Sequence, residues 1–418
     1  MVERTEKQAE GLGVKRRLRL AAKGAVGPRE NDSRFLLDPH RRGLPNLPRM
    51  ARYRDEDEVD LLIVGAGAGG STLAQRLARR GWRVVVLESG PFWDPDRDWV
   101  SDEAGASKLY WNEPRVIGGE DPVELGKNNS GHGVGGSMVH YAGYAPRFHP
   151  SDFRTRSLDG VGADWPIAYD DLRPHYEIVE TELPVSGQDW PWGDPHGYPY
   201  APHPISAGAR LAREGAREAG IEVRVGPVAI ANGAFGNRPH CIYRGFCLQG
   251  CKVNAKASPL VTHIPDAIEH GVEFRANAHA VSIELDGGGR ARGAAYAQHG
   301  ETRLQRAAAV AVAGYSIETP RLLLNSVSPR FPAGIGNNDD QVGRYIMVQG
   351  APQVAGRFPD IIGMYKGPPP EICSEQFYET DPARGFARGF AIQTVGPQPI
   401  AWAEHVLAHG YWGQALRE

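Results

Sequence analysis

Two sets of residues carry chemistry in their type and spacing. The first is Gly65, Gly67, Gly69 and Gly70, followed by Glu88, Ser89 and Gly90. At such intervals one glycine allows a sharp turn (Gly65), the next brings backbone against a pyrophosphate (Gly67), and a third packs a helix closely on a strand (Gly70). A carboxylate about 20 residues on, here Glu88, can accept both hydroxyls of a ribose. The second set is Cys241, Cys247 and Cys251, separated by five and three residues. Such thiolates converge if the backbone loops around a centre, and Gly245 and Gly250 supply turns. Three soft ligands fit iron–sulfur chemistry, or zinc with His240 as a fourth ligand. Three small thiols also fit a plain core. A disulfide fits less well, because one cysteine is left over and Cys373 is distant in sequence.

The elements that must position these residues follow from pattern. Leu61–Val64 is a short apolar run suited to a central parallel strand buried on both faces. A helix is expected over Ser71–Arg80, with its N-terminal N–H groups and positive dipole end toward phosphates. A second apolar run leads into Glu88. A glycine triplet alone is weak evidence, but strand, helix, second strand and acid at this spacing predict a dinucleotide site. Ser89 and Gly90 directly after the acid favour a flavin nucleotide over a nicotinamide one. Five glycines among residues 126–136 preclude a helix and predict a tight loop around Gly133, Gly135, Gly136 and Ser137. Its N–H groups could face a planar ring or a phosphate.

Further along, a helix is expected over Leu211–Ala219, ended by Gly220. Val272–Phe274 and Ala280–Leu285 read as short strands, with Gly287–Gly289 as a hairpin signal. Val310–Ala313 reads as another buried strand, and Gly314 after it can approach a cofactor closely.

A chain of 418 residues can hold two domains. Hydrophobic residues make up 41% of it, and no run is long enough to cross a bilayer. A net charge of −3 argues against nucleic acid as a partner. The 52 glycines and 33 prolines are dispersed, which predicts a loop-rich protein without repeats. Residues 1–55 are different: Lys15-Arg16-Arg17-Leu18-Arg19 opens a basic stretch without periodicity. A twin-arginine signal would need an apolar core, and Leu18–Val26 is interrupted by Arg19 and Lys23. A poorly ordered extension is the expectation.

Five segments in order resemble the glucose–methanol–choline (GMC) flavin oxidoreductases: Gly65–Gly70 with Glu88–Gly90, Gly133–Ser137, Asp164–Tyr176, Ala313–Ser326 and Val342–Gln349. Tyr315 and Gln349 depart from the family pattern, which has a small residue and a histidine there. The spacing of the cysteines resembles the bacterial sugar, gluconate and sorbitol dehydrogenase large-subunit branch. The resemblance implies FAD, held by the glycines named above, Glu88, Ser89, Ser137, Gly314, Val281 against the adenine, and His140. In some relatives a histidine near His140 is joined covalently to the flavin; in others it is free. For Cys241, Cys247 and Cys251 the resemblance implies a 3Fe–4S cluster relaying electrons toward a cytochrome subunit, with a small subunit as further partner. The implied reaction is oxidation of a CH–OH group of a sugar, polyol or sugar acid, with an acceptor other than oxygen.

The implied fold is α/β, a Rossmann-like FAD-binding domain interwoven with an α+β substrate domain. Residues 56–160 and 236–330 would form the first, and 161–235 and 331–418 the second. The family's catalytic histidine lies in a C-terminal segment absent from this sequence, so a chain truncated at the C-terminus is expected. No residue is nominated as base: His405 and His409 lack the surrounding pattern. The alternative is a non-catalytic or partner-completed flavin-binding fragment. No export signal is visible, so the expected compartment is the cytoplasm, or the periplasm by co-export with a partner.

Overall fold

Alternate residues of the first strand, β1 (Leu61–Val64), face two different cores, as the two-residue period of a strand requires. The computed structural model describes residues 53–99, 104–126, 130–233, 235–236, 238–356, 358–396, 399–400, 403 and 407. Nearly all of the basic extension, and both His405 and His409, lie outside the described residues. After β1 come α1 (Ala68–Ala78), β2 (Val84–Leu87) and a hairpin of β3 (Arg115–Ile117) and β4 (Val123–Gly126). Two helices, α2 (Tyr169–Glu182) and α3 (Ala207–Glu218), precede the short β5 (Arg224–Val225). Then follow α4 (His263–Glu269), β6 (Glu273–Arg275), β7 (His279–Leu285), β8 (Ala291–Gln298), β9 (Glu301–Arg306) and β10 (Val310–Val312). The order closes with α5 (Tyr315–Asn325), β11 (Ile372–Ser374) and β12 (Ile392–Gln393).

Four strands form a parallel sheet in the order β10-β1-β2-β6, with Leu62 beside both Val310 and Val85. Residues 88–272 are therefore inserted between neighbouring strands of one sheet. Leu61, Ile63, Val84 and Val86 pack toward Ala74 and Ala78 of α1 and Ile264 and Ile268 of α4. Leu62, Val85 and Leu87 face the opposite core, with Ile283, Tyr296 and Leu322. Burial on both faces explains why these strands are continuous apolar runs, and each such side chain contributes about 1.5–3 kcal/mol.

A second sheet, β7-β8-β9, is an antiparallel meander whose first turn spans the predicted glycines. The third sheet, β12-β11-β5, is small and joins distant parts of the sequence. Among the described residues, no helix is long and apolar enough to cross a membrane.

Strand boundaries differ from expectation by one residue, and two helices differ by more. Helix α1 begins at Ala68 and ends at Ala78, so Gly69 and Gly70 are helical and not part of the turn. Helix α3 starts at Ala207, four residues before the apolar signal at Leu211, because the Ser206 side chain accepts from the Ala209 N–H and caps it.

Candidate functional site

Three glycine-bearing segments meet at the C-terminal edge of β1 and β2. Gly65 adopts φ +104°, and a Cβ there would collide with the Ala313 carbonyl. The Ala313 N–H donates to Val64 O at 2.8 Å, which brings Gly314 beside the first turn. At Gly70 a Cβ would strike the Gly65 carbonyl, so the helix packs on the turn as predicted. Gly69 faces open space, and the N-cap, Gly67, has no capping side chain. No acidic residue stands in the first turn of α1. Uncapped N–H groups and the positive helix end are thus free to meet an anion.

Glu88 is 8% exposed and its carboxylate is a hub. Oε2 accepts from the Ala66 N–H at 3.0 Å; Oε1 accepts from the Gly90 N–H at 3.0 Å and from Ser89 Oγ at 3.2 Å. Oε2 keeps a lone pair that can accept from a ribose hydroxyl, and rotation of the Ser89 hydroxyl frees one on Oε1. The second glycine loop lies directly on the first. Gly135 N–H donates to Ala66 O, and Val134 N–H to Pro91 O, both at 2.9 Å. A Cβ on Gly136 would sit 2.7 Å from the Gly67 Cα, and one on Gly90 would clash with the Gly133 N–H. Ser137 Oγ accepts from the Gly131 N–H at 2.9 Å, closing the loop on itself. These contacts bring Gly65, Gly67, Gly69, Gly70, Glu88, Ser89, Gly90, Gly133, Gly135, Gly136, Ser137 and Gly314 together.

Val281 sits in β7 at a bulge, where the register shifts between Ala280 and Ser282. The strand is anchored to the cradle just upstream: Ala278 N–H donates to Glu88 O at 2.8 Å, and Asn277 N–H to Gly90 O at 2.9 Å. His140 packs on the Tyr110 ring at 4.1 Å between centroids, and its Nε2 is buried without a hydrogen-bond partner. Burial, aided by the nearby Lys256 charge, pushes its pKa down to about 4, so the imidazole is neutral at neutral pH.

Sequence reasoning missed a polar aromatic group beside Glu88. Trp111 lies 4.8 Å from the His132 ring and 6.4 Å from His279, and Arg115 covers its face at 4.1 Å. Arg115 also pairs with Glu318 of α5 at 2.9 Å. Burial lowers the pKa of both histidines, keeping a second neutral polar wall on the cradle. His132 lies inside the predicted glycine loop and Glu318 inside the family-like stretch, but no motif contains Trp111, Arg115 or His279.

Cys241, Cys247 and Cys251 gather in one small core with Val228, Ile230 and Ala255. Cys241 Sγ accepts from the Tyr243 N–H and Cys251 Sγ from the Lys256 N–H, each at 3.4 Å. Burial pushes the Cys247 thiol up to about 12, against the pull of Lys256. Gly245 and Gly250, expected to supply turns, both take positive φ, at +76° and +85°. His240 is exposed, and among the described residues no group of three His, Cys, Asp or Glu side chains is arranged around a single metal ion. That removes the support for zinc with His240. Cys373 lies elsewhere, in β11, and all four cysteines are free.

The uncapped helix end, the walls that admit no Cβ, the buried carboxylate and the unpartnered His140 Nε2 fit a flavin dinucleotide. Comparison with known proteins agrees. A family model described as GMC oxidoreductase matches residues 59–349. The chain is 31% identical to 2-methyl-1,2-propanediol dehydrogenase of Mycolicibacterium austroafricanum, over 87% of this chain and 69% of that protein. It is 29% identical to the fructose dehydrogenase large subunit of Gluconobacter japonicus, over 69% of this chain and 58% of that one. Paromamine 6'-oxidase of Streptomyces fradiae is 30% identical, over 72% and 56%. The match thus spans between 56% and 69% of these relatives' own length. Among solved structures, pyridoxine 4-oxidase from Mesorbium loti superposes with a TM-score of 0.45 at 20% identity, covering 64% of this chain and 52% of that one.

Proposed function

The chain belongs to the GMC oxidoreductase family, and from that premise we propose that it binds FAD and oxidises a CH–OH group of a sugar, polyol or sugar acid, passing electrons to an acceptor other than oxygen. The observation that carries the reading is the meeting of Gly65–Gly70, Glu88–Gly90 and Gly133–Ser137 at one helix N-terminus. Three relatives are named for the small molecules they act on, 2-methyl-1,2-propanediol, fructose and paromamine. Two of those names are dehydrogenases, which favours an acceptor other than oxygen.

FAD, when bound, supplies a ring that accepts hydride. This chain's residues bind and orient it. The N–H groups at the start of α1 would hold the pyrophosphate, Glu88 would accept from the ribose hydroxyls, and Val281 would contribute to the adenine side. His140 offers a neutral imidazole whose buried Nε2 has no partner within the chain and could bond to the bound cofactor. We place cofactor binding in residues 56–160 and 236–330, and substrate binding in 161–235 and 331–418.

Cys241, Cys247 and Cys251 are proposed to hold a 3Fe–4S cluster. What supports this is their shared apolar pocket and the two N–H···S contacts. One similar protein is named a large subunit, which favours partner subunits; a small subunit and a cytochrome subunit are the partners proposed. Co-export with such a partner to the periplasm belongs to the same proposal.

An anaerobic absorption spectrum of the purified chain after FAD addition, with iron and sulfide assays, tests both cofactors. Bands of bound flavin are expected, bleached by a reactive sugar or diol. Unbound FAD would sink the proposal. Bound FAD that no alcohol, sugar or sugar acid bleaches would favour the partner-completed reading.

A further inference from the structure

Lys256 is 2% exposed, yet no ion pair joins it to a carboxylate among the described residues. Its ammonium instead donates to three main-chain carbonyls: Val139 O at 3.0 Å, Tyr141 O at 2.8 Å and Cys247 O at 2.6 Å. It also lies 4.9 Å from the centre of the Tyr141 ring. Two of those carbonyls flank His140, and the third belongs to the middle cysteine. One buried cation therefore spans the strip beside the flavin loop and the turn that carries Cys247.

A second cation stands close by. Arg238 Nε donates to Asn254 O at 2.9 Å and Nη2 to Ala255 O at 2.8 Å, while Nη1 is buried without a partner. It too forms no ion pair with a carboxylate among the described residues. Lysine is almost never fully buried unless paired, because removing a charge from water is costly. An anionic occupant among the three cysteines would meet positive charge from both side chains.

We propose that Lys256 is a positioning residue that ties the Cys247 turn to the strip on either side of His140 and, with Arg238, supplies the positive charge that an anionic sulfur centre needs. The second half rests on the reading of the three cysteines as cluster ligands; the first half does not. The charge and hydrogen bonds around a cluster set its potential, so this arrangement would also tune electron relay from the flavin side.

The test uses the FAD-loaded chain and two variants, Lys256→Met and Arg238→Gln. Native alkylation by iodoacetamide, read at Cys247 by mass spectrometry in metal-free protein, reports the tie. A rise of at least ~10-fold in Lys256→Met is expected, with little change in Arg238→Gln. Iron and sulfide uptake after anaerobic reconstitution reports the charge, and both variants should retain less than the parent. A Lys256→Met protein that melts cooperatively and alkylates at the parent rate would overturn the tie. If the parent takes up no iron while the alkylation difference stands, the cluster reading fails and the tie survives. Should Lys256→Met not fold, amide exchange of the parent decides. Residues 139–141 and 247–251 should open together, and independent opening would overturn the proposal.

Discussion

Around Gly65–Gly70 the chain is held by its main chain: ladder hydrogen bonds, N–H groups on Glu88, and glycines so close that no Cβ fits between them. Around His149 it is held by side chains. His149 Nε2 meets Glu375 at 3.0 Å and Nδ1 meets Glu379 at 2.7 Å, while Trp190 Nε1 donates to Glu375 at 2.8 Å. The Tyr378 ring packs on His149 at 4.0 Å, and Arg388 pairs with Asp152. Nearby, Arg147 grips Glu180 with two bonds of 2.6 and 2.7 Å, both side chains 7% exposed. The first region fixes a ligand-binding surface with little side-chain chemistry. The second joins residues 144–190 to 375–388 through charged side chains set on helical turns and loops.

If that division is right, each region should fail separately. Arg147→Ala leaves Glu180 buried and unpaired, and the expected loss is about 3–5 kcal/mol of stability by urea unfolding. FAD affinity of the protein that remains folded should hold, and a large affinity loss would break the comparison. Gly136→Val should do the reverse. It places side-chain atoms against Gly67, where a Cβ alone would already lie 2.7 Å from the Cα. FAD binding should weaken at least ~100-fold, about 3 kcal/mol. A titration showing unchanged affinity would mean that the two loops do not share the ligand.

The same division explains what was legible in the sequence. β1, β2 and Glu88 were readable because a strand buried on both faces must be apolar and a tight turn must use glycine. The β7–β8 turn was readable from Gly287–Gly289 for the same reason. The β3–β4 hairpin was not, since its strands are short and Val116 points outward at 63% exposure. His149 was illegible on other grounds: its carboxylate partners lie 226 and 230 residues away. The cysteines stand between. Their spacing announced a site, but the buried Lys256 and Arg238 beside them came only from tertiary packing.

Acid–base behaviour gives a smaller effect that sharpens the contrast. Burial alone would lower the pKa of His149, but its hydrogen bonds to Glu375 and Glu379 outweigh burial and raise it. The stabilisation is then fully present below the unfolded value of 6.5 and is lost as pH rises through the folded value. For Glu379 burial is likewise opposed, and the contact with His149 lowers its pKa, so its share is present above 4.5 and lost as pH falls through the folded value. Melting temperature should be flat between 4.5 and 6.5 and decline on either side. His149→Gln should lower it by roughly 2–4 °C in that window and flatten the alkaline decline. A decline that persists in the variant would assign it to another group.

The smallest effect comes from a pair with the geometry of Arg147–Glu180 but the surroundings of the surface. Arg79 Nε and Nη2 donate to the two oxygens of Asp266, both at 2.8 Å, linking α1 to α4 beneath the cradle. The Arg79 side chain is 48% exposed, so water already screens both ions. An exposed pair is worth about 0–1 kcal/mol, and the apolar contacts of Ala74 and Ala78 with Ile264 and Ile268 hold the helices without it. Asp266→Asn should therefore cost under about 1 kcal/mol, and the cost should shrink further in ~1 M salt, where the screening length is only about 3 Å. A loss near that of Arg147→Ala would show that bidentate geometry decides the energy. A loss within the surface range would show that exclusion of water decides it, and that the charged region around His149 owes its strength to burial.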